Sequence, residues 1–272
     1  MRFIWTKSLD STQVMLADYV RSNTLDEPFV VATLRQTNGI GSRENTWEQV
    51  ACGLYLSCAL PISLLPNDLP NQSASIYFGQ ILLELFQEFH KDLWLKWPND
   101  FYLHDYKVGG LITQFIKGCV VFGVGLNILS NKQHSLLTDI NLENEAIANT
   151  TKTISLQYEK YNKEDSKKSL SQQILFEIIQ KILHFLSFKI VKFDLQNDMD
   201  IIINGISCET FLHDSMAWCE VFRRYEKNFY KNYRFDTHIN ENGNTYKLSL
   251  QNAKLQSDGS IILHDKILYS LR

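Results

Sequence analysis

The chain has no C-x-x-C pair, no excess of positive charge and no long hydrophobic run, and each absence removes a class of protein. Its five cysteines (Cys52, Cys58, Cys119, Cys208, Cys219) are odd in number and unpaired in spacing. That argues against a disulfide framework or a zinc site and predicts reduced, partly buried thiols. A formal net charge of −3 gives no broad basic field for duplex nucleic acid or an anionic membrane, so the expected partner is a small molecule or another protein. The most apolar stretch, "ACGLYLSCALPISLLP", is short and interrupted by Pro61, and "MRFIWTKSLDSTQ" lacks an apolar run of signal-peptide length. A cytoplasmic protein is predicted. Neither H-E-x-x-H nor G-x-S-x-G nor G-x-x-x-x-G-K-[ST] occurs, which excludes the zincin, serine-hydrolase and P-loop readings.

What is present is core-forming material. With 272 residues, 44% of them apolar and 12% aromatic, the chain is long enough for one large domain and a small one. Ser11 and Thr12 open a helix over 12 to 22, with Val14, Leu16, Ala17 and Val20 near helical spacing. "PFVVATLRQ" (28 to 36), "ACGLYLSCAL" and "CVVFGVGLNI" read as buried strands. Residues 73 to 91 carry Ile76, Phe78, Ile81, Leu82, Leu85, Phe86 and Phe89 on one stripe, a helix that a sheet could bury. Residues 141 to 173 turn polar, a surface excursion. Helices are predicted over 171 to 186 and 215 to 232, and "TYKLSL", "AKLQ", "SIILH" and "KILYSLR" read as short strands split by turn signals. The expected architecture is α+β, a mixed sheet covered by helices, with a small β domain appended: 1–232 and 233–272.

One short segment, "KWPNDFYLHDYKVGGLI" (96 to 112), holds more than a hairpin needs. Leu93, Leu95, Val108, Leu111 and Ile112 with a His104-Asp105-Tyr106 corner already build two paired strands. Lys107 stands at a strand start before Val108-Gly109-Gly110, where an anchored ammonium suits a developing negative charge and the glycines let a ligand lie against the backbone. A solvated edge lysine is the alternative. The loop "QTNGIGSRENTW" has Gly39, Gly41 and Arg43, which could bring N–H groups to a phosphate, but its third fingerprint glycine is missing, and an ordinary surface connection has the same composition. "GVGLN" (123 to 127) puts two glycines in a buried strand, which marks a close approach by ligand or by backbone.

The order of these pieces is more informative than any one of them. "LDSTQ", "RQTNGIGSRENTW", "GLYLS", "KWPND", "KVGGLI", "GVGLN" and "LQSDGSI" follow one another as in the biotin protein ligases, which attach biotin to the carrier domain of acetyl-CoA carboxylase and related carboxylases. The chain resembles that family with specific motifs over roughly 3 to 130 and more loosely over 245 to 272. The resemblance implies the class II synthetase-like biotin/lipoate ligase fold with an SH3-like C-terminal domain. It also implies activation of the biotin carboxylate by ATP and Mg2+ to biotinyl-adenylate, then attack by a lysine of the biotin carboxyl carrier protein.

By the same resemblance Lys107 and Arg43 are catalytic, Lys107 contacting carboxylate and phosphate. Ser11, Thr12, Gln13, Gln36, Gly39, Ile40, Gly41, Ser42, Gly109 and Gly110 bind biotin. Trp47, Asn99, Asp100, Lys107 and Asn127 take ATP or the adenylate, with Asp100 placed to help hold the metal, which otherwise enters with ATP. The 39–47 loop should close over the adenylate and exclude water. No N-terminal winged helix precedes the catalytic segment, so an enzyme without DNA binding, and without a membrane role, is expected as monomer or homodimer. The family loop is commonly G-R-G-R-x-G-R-x-W. Here Ile40, Ser42 and Asn45 replace arginines and Glu44 a glycine, which implies weaker or differently organised adenylate retention. Within the same superfamily a lipoate or octanoate ligase is the rival. From another class, a non-catalytic biotin-binding module would bind without turning over ATP.

Overall fold

A computed structural model describes residues 2–6, 8–42, 46–50, 52–130, 134–136, 178, 201–204, 216–241 and 244–270. The predicted excursion at 141 to 173 lies outside them, as does the predicted helix at 171 to 186 apart from Ile178. The main sheet has eight strands in the order β4-β5-β6-β7-β3-β2-β1-β8. These are β1 (Arg2–Thr6), β2 (Phe29–Thr33), β3 (Cys52–Pro61), β4 (Leu93–Lys96), β5 (Asp100–Leu103), β6 (Tyr106–Ile116), β7 (Cys119–Leu129) and β8 (Ile201–Asn204). Only β1 and β2 run parallel, joined through α1 (Thr12–Ser22); every other pairing in the sheet is antiparallel, so the sheet is mixed as expected.

Strand alternation sends side chains to the two faces in turn, and each face has its own cover. Leu54, Leu56, Phe101, Leu111, Phe122 and Val124 face α2 (Ala74–Gln87), which buries Ile76, Phe78, Ile81, Leu82 and Phe86. On the other face Val31, Ala59 and Val121 pack against Leu16 and Val20 of α1. Because α1 covers only part of that face, the stretch of β3, β7 and β6 beyond its N-terminus is left as the wall of a cleft. Val14, read from its spacing as a core residue, is 41% exposed, and the buried stripe of α1 is Thr12, Gln13, Leu16, Ala17 and Val20.

Two further expectations change. The segment 93 to 116 is a three-strand meander with turns at 97–99 and 104–105, not one hairpin, and Ile112 lines the cleft instead of joining the core. The helix predicted at 215 to 232 is α3 (Trp218–Glu226) followed by a 3-10 segment, Phe229–Arg234. The Asp68 carboxylate caps α3 from 150 residues away, accepting from the N–H groups of Trp218 (2.9 Å) and Cys219 (3.1 Å).

The C-terminal strands form a ribbon of β9 (Asp236–Glu241) and β10 (Asn244–Ser249) and a three-stranded sheet of β11 (Lys254–Leu255), β12 (Ile261–Leu263) and β13 (Lys266–Leu268). The polar "DTHINE" of β9 carries no strand signal of its own and is held by pairing with β10. Leu250, Ala253, Ile261 and Leu263 share one core with α2 and the main sheet. Trp97 ties them together: it is fully buried, its indole N–H donates to the Gly259 carbonyl (3.0 Å), and its backbone N–H donates to Asn232 Oδ1 (2.8 Å). Among the described residues no helix is long and apolar enough to cross a membrane.

Candidate active site

The cleft opens at the N-terminus of α1 and has a volume of about 640 Å³, part of it open to solvent. Ser11 caps the helix, its Oγ accepting from the Val14 N–H. This delivers Thr12 and Gln13 to the cleft wall at fixed positions. The Thr12 N–H (2.8 Å) and hydroxyl (3.1 Å) both donate to Gln36 Oε1, and Thr12 Oγ1 lies 2.9 Å from Ser57 Oγ. With its oxygen taken up by Thr12, Gln36 offers the cleft its NH2 group.

Gln13 is 3% exposed, and its amide nitrogen donates to the Val121 carbonyl at 3.2 Å. Its Oε1 is buried and accepts no hydrogen bond. A buried carbonyl without a donor is costly, so the wall asks for an N–H at this point. Beside it, a Cβ on Gly123 would lie 2.5 Å from Gln13 Oε1 and 2.8 Å from Ser57 Oγ, so only glycine leaves both groups in place. We expect Gly123→Ala to cost about 1–3 kcal/mol by overpacking, read as a lower midpoint of urea unfolding. An unchanged midpoint would mean that the two side chains are not fixed.

At the other end stand Lys107 and Asp100, with Nζ to Oδ1 at 2.7 Å. A β-bulge between Phe101 and Tyr102 shifts the β5–β6 register, so that Lys107 shares a face with Gly110. Gly110 opens onto the Asp100–Lys107 pair, whereas a Cβ on Gly109 would meet the Gly125 carbonyl, Leu126 and Phe101. Gly109 therefore serves packing and does not line the cleft, contrary to the sequence expectation. The Lys107 ammonium also lies 5.4 Å from the centre of the Trp47 ring. Trp47 is seated on Gly125, where a Cβ would come within 2.9 Å of the indole, and the Trp47 backbone N–H donates to the Gly39 carbonyl (2.8 Å) while Ile40 pairs with Thr46.

Of the remaining expected residues, Ile40, Gly41, Ser42 and Asn99 line the cleft. Gly39 stands behind it, against Gln36 and Trp47. Asn127 follows Gly123 and Gly125 on the same face of β7, is buried, and lies just beyond the cleft wall. Arg43 lies outside the described residues. Among the lining residues that the sequence reading did not place at the site are Thr46, Tyr55 and Ser57. Ser57 had a signal, a lone hydroxyl within the apolar run "GLYLSCAL". Burial pushes the Tyr55 phenol above its ordinary value, against the pull of the Val50 N–H, so Tyr55 presents a neutral hydroxyl.

Residues 5–131 match the model of the Biotin/lipoate A/B protein ligase family and form a domain of that family. The class of protein defined by fold and cleft is thus a ligase, and the chain is an enzyme of that class. It resembles the Biotin Acetyl Coenzyme A Carboxylase Synthetase from Helicobacter pylori, solved with bound Biotinylated ATP, at 29% identity over 98% of each chain with a TM-score of 0.68. The same fold occurs in the Biotin protein ligase from Aquifex aeolicus in complex with biotin and ATP, at 18% identity over 99% of this chain and 95% of that one with a TM-score of 0.56. No curated protein sequence matches the chain.

Proposed function

We propose that the chain activates biotin with ATP and transfers it to a lysine of a biotin carboxyl carrier protein such as that of acetyl-CoA carboxylase. A biotin carboxylate oxygen attacks the α-phosphorus of ATP, pyrophosphate leaves, and the acceptor amine then attacks the mixed-anhydride carbonyl, losing a proton as AMP departs. The observation that carries the choice of biotin is the orphaned Gln13 Oε1 beside the NH2 group of Gln36 and the hydroxyl oxygens of Thr12 and Ser57. A ureido ring has two N–H donors and one carbonyl acceptor and satisfies such a set, whereas the dithiolane of lipoate has neither.

In this reading Ser11, Thr12, Gln13, Gln36 and the Gly39–Ser42 loop surround the ureido and thiophane rings, with Gly110 beneath the valeryl chain. Lys107 meets the carboxylate and the α-phosphate. Trp47, Asn99 and Asn127 border the adenine, and the loop that carries Trp47 closes over the adenylate. Among the described residues no group of three metal-ligating side chains exists. Magnesium would therefore be held by Asp100 together with the phosphates, the usual arrangement for a weakly caged ion. The free thiols of Cys52, Cys58, Cys119 and Cys219 agree with a cytoplasmic setting. The division at 232 and 233 is proposed as a functional one, since both parts share a single core.

The test is pyrophosphate release with ATP and magnesium, comparing biotin with lipoate. Leaving the Gln13 oxygen unpaired costs about 1–3 kcal/mol, so biotin should be favoured by at least about fivefold. Equal or faster release with lipoate would overturn the assignment. Biotin binding without any release would leave a binding module.

A further inference from the structure

Along the cleft wall Tyr55 and Ser57 of β3 stand opposite Gly125 and Gly123 of β7. The space above Gly125 is taken by the Trp47 indole, which therefore lies beside the Tyr55 side chain. Tyr55 does not stand straight up from its strand. It folds back over Gly53, where a Cβ would lie 2.7 Å from the phenolic oxygen, and this brings that oxygen to the Val50 N–H at 3.4 Å. A phenol that is 1% exposed thus meets the segment 47–50 at both of its ends.

The Trp47 indole N–H is the decisive group. It is buried and has no acceptor within hydrogen-bond geometry, whereas a buried tryptophan ordinarily finds one for its N–H because leaving a donor unpaired is costly. The Tyr55 oxygen is placed to serve. Burial raises its phenol, and the Val50 N–H and the Trp47 indole are the two groups that pull it back down. The Val50 contact is long for a hydrogen bond and uses one lone pair, which leaves the other for the indole. Hydrogen bonds at active sites often tighten only when ligand is bound. The Trp47 ring in turn covers the Lys107 ammonium at 5.4 Å, so a shift of the indole is felt at the reacting end of the cleft.

We propose that Tyr55 is a positioning residue of the adenylation site: with biotin and ATP bound, its oxygen accepts the Trp47 indole N–H and fixes the ring that covers Lys107. This rests on the ligase reading above. Tyr55 holds no reacting atom and acts through Trp47. A tyrosine that only packed would give its oxygen no task, since a phenylalanine ring fills the same space over Gly53. The arrangement also gives Gly53 and Gly125 one shared purpose, because the first admits the phenol and the second admits the indole.

The test is steady-state pyrophosphate release from ATP, magnesium and biotin in Tyr55→Phe, Trp47→Phe and the double variant. Tyr55→Phe should lower the turnover number by about three- to tenfold, the worth of one hydrogen bond, with the KM for biotin within about twofold of the wild type. In the Trp47→Phe background, which has no indole N–H, the same change should alter turnover by less than about twofold. The contact is also read without turnover. The Trp47 indole proton, identified by its loss in Trp47→Phe, should become protected from solvent exchange when biotin and ATP are added to the wild type and stay unprotected in Tyr55→Phe. Unchanged turnover in Tyr55→Phe, an equal loss in both backgrounds, or an indole proton whose exchange ignores Tyr55 would each overturn the assignment. A wild type that releases no pyrophosphate yet shows the Tyr55-dependent protection would sink the ligase reading and leave the contact standing.

Discussion

Lys107→Ala should reduce biotin-dependent pyrophosphate release by about 10²–10³-fold, the usual effect of removing one preorganised donor from a developing charge. The lysine is unusually well placed for that role. The β-bulge turns it onto the cleft face, Asp100 holds its ammonium at 2.7 Å, and the Trp47 ring covers it at 5.4 Å. Stability should barely respond, because the Lys107 side chain is 42% exposed and exposed ion pairs contribute roughly 0–1 kcal/mol. The loss should therefore appear in the turnover number while the melting temperature stays within about 2 °C. Lys107→Arg keeps the charge but not the compact ammonium, and should recover only part of the rate. If Lys107→Ala turns over like the wild type, the ammonium is not at the reacting centre, and the adenylation site must be sought elsewhere in the cleft.

Trp97→Ala should produce the largest loss of stability of any single change considered. Truncating a fully buried tryptophan costs about 3–5 kcal/mol, out of a total that for most domains is about 5–15 kcal/mol. The Gly259 carbonyl would also lose the indole N–H that now reaches it at 3.0 Å. That carbonyl belongs to the "QSDGS" turn, which packs on Ile76 of α2 and on Trp218 of α3. The melting temperature should fall by on the order of 10 °C. The C-terminal strands should loosen first, read as faster amide exchange at Ile261 and Leu263 than at Val31 and Val121. Trp97→Phe, which keeps most of the buried surface and loses the hydrogen bond, should cost about 1 kcal/mol. A melting temperature within about 2 °C of the wild type for Trp97→Ala would show that the C-terminal strands are held without it.

Lys96 and Trp97 are neighbours in sequence, yet they leave the end of β4 for different tasks. The indole fastens the C-terminal turn beneath the sheet, and Lys96 lines a second, smaller cleft with Ser75, Thr113 and Thr237. Nothing in "KWPND" distinguishes the two, because that outcome depends on strands more than 130 residues away. Gly109 and Gly110 make the same point at shorter range. As letters they are equivalent, and the bulge in β5–β6 decides which opens onto the cleft and which faces Leu126.

By itself the sequence determined the features that arise from short-range physics. The Ser11 cap brings Thr12 and Gln13 to a helix start, the apolar runs of β2, β3 and β7 form strands, the stripe on α2 seeks a sheet, and Lys107 lies in the first turn-side residues of the strand that carries the double glycine. Caps and periodicities act over a few residues and can be read within a window. The tertiary structure alone decided that Ile112 leaves the core for the cleft, that Ser57 and Tyr55 line it, that β9 exists at all, and that Thr237 and His238 reach a pocket begun by Lys96. Those outcomes depend on register and on which distant strand arrives alongside, and no local pattern encodes either one.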